Sequence, residues 1–228
     1  MKTTWKSYFV FLSTSYKIWG MIFFPMVILG ITELFIYANR LGAGIAIPVF
    51  AGYVVAYEVL ADYWSFGGIC EKDTRSMDYM KTSLRGEHVL QHALIGDCIR
   101  RAFYLGILFL AITVQTGELS YVTAGFWADT VIVITLIIMR HLNCTAMIQL
   151  ATGCLAGSAY GIICLGIKNL TTVFPAESVL WPVSGVLMLL VNKCAVNHVV
   201  KCPAPMGRGA VSSGYFKNGS IRRCVSAS

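Results

Sequence analysis

Charge is what this chain has least of. Only 13% of its 228 residues are Asp, Glu, Lys or Arg, against roughly a quarter in soluble domains, while 57% are hydrophobic. That scarcity excludes an ordinary soluble domain and places the chain in a membrane. Catalytic signatures are missing as well. No GxxxxGK[ST] occurs, so the chain does not itself cradle a nucleotide, and the tail glycines Gly207, Gly209 and Gly214 follow no strand. HExxH and GxSxG are absent too. The eight cysteines form no CxxC pair and no zinc-finger spacing, which leaves reduced thiols as the expectation. The net charge of +7 sits in segments flanking apolar runs, so it carries no nucleic-acid signal.

What is present is a series of apolar runs of bilayer length. The reading is six spans, over about Ile18–Tyr37, Gly42–Ala61, Ala102–Gln115, Tyr121–Met139, Asn143–Ile167 and Val179–Val200. Residues 1–16 precede them as an amphipathic helix, with Trp5, Phe9, Leu12 and Tyr16 on one face, suited to the membrane interface. No small-x-small cleavage site follows that apolar start, which argues against a secretory signal. A six-span domain fills 17–200, and a Gly/Ser/Pro-rich basic tail, expected to be flexible, fills 201–228. Arg40 and Lys168 are the only two of eighteen basic residues left outside if both termini are cytoplasmic. The positive-inside rule therefore orients the chain.

One long interval, 62–101, breaks the apolar pattern and is expected to be cytoplasmic. It holds Asp62, Glu71, Asp73, Asp78, Glu87 and Asp97 with Lys72, Arg75, Lys81, Arg85, Arg100 and Arg101. A short helix is expected over 74–85: Asp73 or Thr74 caps it, Lys81 and Arg85 suit its last turn, and Gly86 supplies a left-handed stop. Met77, Met80 and Leu84 make one apolar stripe on it. Such a stripe either docks a soluble partner or packs beneath the bundle, and the residues alone favour neither. Arg100 and Arg101 are expected to snorkel from the start of the third span.

Three carboxylates fall inside spans: Glu33, Glu58 and Asp129. Each costs about 2.5–3.5 kcal/mol at mid-bilayer, so each must face the bundle interior or water. Glu33 and Asp129 read as lying toward the outer ends of their spans. Asn192 and Lys193 lie deep in the sixth span, where Lys193 is expected to pair with a carboxylate or reach inward. These five residues line a polar route or serve as interhelical hydrogen-bonding groups. His88 and His92 have the i, i+4 spacing of a metal pair, but a solvated helix face suits them better.

Interfacial helix, six spans, both ends inside and a charged interval after span two together resemble the ABC-2 type transporter permeases. The residue-level likeness lies in Glu71-Lys72-Asp73-Thr74-Arg75-Ser76-Met77-Asp78-Tyr79-Met80-Lys81-Thr82-Ser83-Leu84-Arg85-Gly86. The chain lacks the family's usual Gly near Ser76 or Met77 and its Pro near Leu84. The resemblance implies an all-α integral membrane subunit with a cytoplasmic coupling helix between spans two and three. It implies no catalysis by this chain. ATP and Mg would be bound by a separate cytoplasmic P-loop ATPase, docked through Asp73, Arg75, Met77, Met80, Lys81 and Leu84. A second permease copy, identical or not, would complete an exporter of hydrophobic or amphipathic cargo. The competing readings are a non-transport assembly or immunity protein and, more weakly, an intramembrane enzyme.

Overall fold

The computed structural model describes residues 2–42, 44–70, 80, 83–142, 146–173 and 177–201. They form helices and no strand. The helix α1 (Lys2–Phe11) is followed by a bend at Leu12 and Ser13. Beyond it a wider-wound π-helical segment, Tyr16–Phe23, runs without a break into α2 (Phe24–Arg40). Then come α3 (Ala46–Cys70), α4 (Leu84–Thr116), α5 (Ser120–Leu142), α6 (Ala146–Val173) and α7 (Glu177–Lys201). Among the described residues, four helices are long and apolar enough to cross a membrane: Tyr16–Arg40, Ser120–Met139, Ile148–Ile167 and Leu180–Lys201.

The turns follow from local chemistry. Gly42, at φ +98°, closes the end of α2, and Gly117, at φ +75°, closes α4 with its N–H on the Thr113 carbonyl. Both angles suit a residue without Cβ. The start of α4 corrects an expectation. Gly86 is no left-handed stop; it lies in the first turn of a 33-residue helix whose N-cap is Ser83. The Ser83 hydroxyl accepts the Gly86 N–H at 3.0 Å, satisfying one orphan donor. A Cβ on Gly86 would come within 2.5 Å of the Met80 carbonyl oxygen.

Helices invade the polar interval from both sides. Residues 62–70 extend α3 and 84–101 belong to α4. Of the expected short helix 74–85, the positions Asp73, Arg75, Met77 and Lys81 lie outside the described residues. Met80 is half-buried against a cluster formed by Tyr8, Leu12, Tyr16, Ala61, Leu90, Leu94 and the end of α7. The buried stripe of α1 differs from the expected one. It runs through Tyr8 and continues in Leu12 at the bend and Tyr16 of the π-helical segment, while Phe9 is exposed, because Tyr8 hides its ring and still finds a partner for its hydroxyl.

The larger core joins Phe50, Val54 and Val55 of α3 to Leu108 and Phe109 of α4, Ala128 and Ile132 of α5, and Tyr160 and Cys164 of α6. Its closest approach is the α3–α6 crossing. Gly153, Gly157 and Gly161 repeat every four residues along α6 and meet Leu60, Ala56, Gly52 and Pro48 of α3. A Cβ on Gly157 would lie 2.5 Å from the Gly52 carbonyl oxygen, and one on Gly52 equally close to that of Gly157. Backbone contact at this range is how helices associate where burial from water supplies little drive.

Candidate functional site

Five charged side chains meet inside the bundle. Arg100 and Arg101 project from adjacent positions of α4 toward different neighbouring helices. Toward α3, Arg100 holds Glu58 with both terminal nitrogens, at 2.7 Å from Oε2 and 3.3 Å from Oε1. Toward α5, the Nε of Arg101 donates to Asp129 Oδ1 at 2.7 Å. Asp97, one turn earlier on α4, bridges the two arginines, at 3.4 Å from Arg100 and 3.0 Å from Arg101. The side chains of Glu58, Asp129, Asp97 and Arg101 are 1–3% exposed and that of Arg100 is 12% exposed.

Two neutral groups extend the network. Asn192 of α7 donates to Asp129 Oδ2 and to its own helix at Met188, and its carbonyl accepts from Arg101 at 3.3 Å. Tyr8 of α1 donates to Asp97 Oδ1 at 3.5 Å. Burial, reinforced by the charge of Asp97, raises the Tyr8 phenol well above its ordinary range. All six oxygens of the three carboxylates accept a hydrogen bond. The network thus ties α1, α3, α4, α5 and α7 together at one place.

This arrangement revises the sequence expectations residue by residue. Glu58, Asp129 and Asn192 come together; Glu33 and Lys193 do not join them. Asp129 is met by Arg101 deep in α5 and is not an outer-end residue. Lys193 is exposed; its neighbour Asn192 is the side chain that turns inward. Arg100 and Arg101 turn into the bundle, where carboxylates on α3, α4 and α5 pair with them. Glu33 accepts from Gln115 at the other end of the bundle, where Arg40 donates to the Gln115 carbonyl at 3.0 Å. His92 lies 3.4 Å from the Thr4 hydroxyl, and His88 is exposed. Among the described residues, no group of three or more metal-ligating side chains assembles.

Sequence reasoning missed Asp97 as a buried group, since it sits in a polar interval that reads as solvated. The available signal was its i+3 and i+4 spacing to Arg100 and Arg101, which lets one helix carry a self-compensating triad. The Gly153–Gly157–Gly161 repeat is the sequence signal for the close approach of α3 and α6. Chemically, the network is an electrostatic lock. Its carboxylates are engaged by guanidiniums, which suits holding helices in register better than abstracting a proton. Any shift of α4 along its axis must break these bonds or exchange them, and inside a low-dielectric bundle each broken pair is costly.

No protein-family model matches the chain, and no curated protein and no solved structure matches it either.

Proposed function

We propose that this chain is the membrane-spanning subunit of an ATP-driven transporter of the ABC-2 kind, exporting a hydrophobic or amphipathic cargo such as a peptide, lipid or drug. The observation that carries the reading is α4. It is one unbroken helix from the capped turn at Ser83, in the middle of the polar interval, to the charge lock at Arg100 and Arg101 at the interval's end and on to Thr116. A rod of that kind delivers a push received at the interval directly to the bonds holding α3, α5 and α7. In this reading α3 and α4 are spans two and three, making six. The support is that α3 lies along α6 from Pro48 to Leu60, at the depth of a helix apolar enough to cross by itself. Both termini are cytoplasmic, a separate P-loop ATPase binds ATP and Mg, and a second permease copy completes the route.

The alternative is a non-transport assembly or immunity protein that recruits a partner through the same interval. One experiment separates the two. The tagged protein is purified from its native membranes in mild detergent, and what accompanies it is identified by mass spectrometry. A stoichiometric P-loop ATPase, lost on Met77→Asp with Leu84→Asp, is the expected result. Met80→Asp is a poorer probe, because Met80 also packs against the buried cluster that holds Tyr8 and Leu90. If no ATPase appears and the substitutions change nothing, the transporter reading falls.

A further inference from the structure

The first spanning helix is wound in two ways. Over Tyr16–Phe23 its hydrogen bonds reach five residues back, as from the Phe24 N–H to the Trp19 carbonyl. Such winding normally occurs as a single turn, often at functional positions, and eight residues of it need a cause. Gly20 supplies part of one. The Tyr16 ring lies on it, so a Cβ there would come within 2.5 Å of two ring carbons. That ring is fully buried, meets Trp64 edge-on at 6.0 Å, and belongs to one cluster with Tyr8, Leu12, Leu90 and Leu94. The Tyr16 N–H is held by the Ser13 hydroxyl at 3.1 Å. On the far side Ile18, Trp19, Ile22 and Phe23 are exposed.

The spacing of the buried residues supplies the rest. Tyr16, Gly20, Ile28, Thr32 and Ile36 fall at multiples of four. In an α-helix four residues overshoot a full turn by about 40°, so such a stripe drifts steadily around the rod. The wider winding undershoots and offsets that drift, which keeps Tyr16 on the same face as Ile28. If Tyr16–Phe23 took ordinary winding, the twelve residues to Ile28 would carry Tyr16 about 120° off the buried face.

We propose that Tyr16–Phe23 is a two-state register switch: the wide winding seats Tyr16 in the buried cluster with Tyr8, which bonds the charge lock, and α winding withdraws it and turns α1 with it. The switch deepens the transport reading, on which its purpose rests, because it would let α1 follow α4 while the outer half of the span stays in place.

Deleting Ile18 tests this. Eleven residues then separate Tyr16 from Ile28, and ordinary α winding holds them within about 20° of one face. Amide hydrogen exchange is followed on the full chain in lipid nanodiscs, with no partner present. In the unaltered chain the amides of residues 19–24 are expected to exchange about tenfold faster than those of residues 27–31, as a locally opening segment does. The deletion is expected to abolish the difference. Equal rates in the unaltered chain, or a difference that survives the deletion, overturn the proposal. Should the deleted chain fail to insert, Gly20→Ala decides: its methyl displaces the Tyr16 ring, and exchange in α1 is expected to rise about tenfold; unchanged exchange overturns the switch. None of these readouts uses the ATPase, so capture of a partner and behaviour of the switch fail independently.

Discussion

Arg100 and Glu58 show what a single buried pair does in this bundle. Neither side chain is soluble in its surroundings alone, and each supplies the other's missing solvation. Arg100→Met leaves the Glu58 carboxylate buried without its partner, which is expected to cost about 3–5 kcal/mol. Unfolding in mixed micelles measures it, and adding Glu58→Met should restore most of the loss; a single substitution as stable as the parent would refute the pairing. Tyr8 makes a prediction in the alkaline range. Its raised phenol favours the neutral form in the folded state, so its contribution is complete below pH of about 10 and falls away as pH rises toward the folded value. Tyr8→Phe should therefore flatten the alkaline limb of the stability curve, and an unchanged limb would count against the buried hydroxyl. At this scale the sequence identified the costly residues and not their partners. Glu58 and Asp129 stood out because charge is rare in apolar runs, whereas choosing between Asn192 and Lys193 required the rotation of α7. One residue of phase separates the two.

Among the elements, the α3–α6 crossing is the most sharply constrained. Gly157→Ala drives a methyl against the Gly52 carbonyl oxygen and the Ala56 methyl, at 2.5 Å and 2.8 Å. It is expected to destabilise by about 1–3 kcal/mol. Gly166→Ala on the same helix meets nothing within 4 Å and is expected to be neutral or slightly stabilising. Equal effects of the two in a denaturation series would show that the crossing does not depend on close approach. Apolar length made α5, α6 and α7 readable from the sequence. The boundary of α4 was not readable in the same way. Lys81, Arg85 and Gly86 satisfy the rules for a helix end, yet Ser83 is a stronger start signal than Gly86 is a stop, and the helix obeys the cap. Beyond Gly86 the helical spacing of Val89, Leu90, Ala93 and Leu94 does point to a run into the next apolar segment, and α4 follows it through the charges at 97–101.

For the molecule as a whole, the proposed six-span arrangement predicts which ends share a compartment. Single cysteines introduced at Gly42 and Gly117 in a cysteine-free chain should react with a membrane-impermeant thiol reagent from outside. Those at Arg85 and Lys201 should react only after the membrane is opened. Labelling of Gly42 and Arg85 from the same side would rule the arrangement out. Integral membrane character was plain from composition. The buried lock was not, because its members come from five distant parts of the chain and only packing gathers them.

The order of the lock's parts along the chain bears on how the protein is made. When α4 leaves the ribosome, Tyr8 and Glu58 have already been synthesised, whereas Asp129 and Asn192 have not. Asp97 stands three and four residues before Arg100 and Arg101, so the helix brings a counter-charge with it. Charges in a nascent segment cost the insertion machinery about 2.5–3.5 kcal/mol each, so if α4 is a span, as the six-span proposal has it, this built-in neutralisation would lower its cost until α5 and α7 arrive. In that proposal Asp97 would serve as an internal escort during biosynthesis before it becomes the bridge seen in the finished fold.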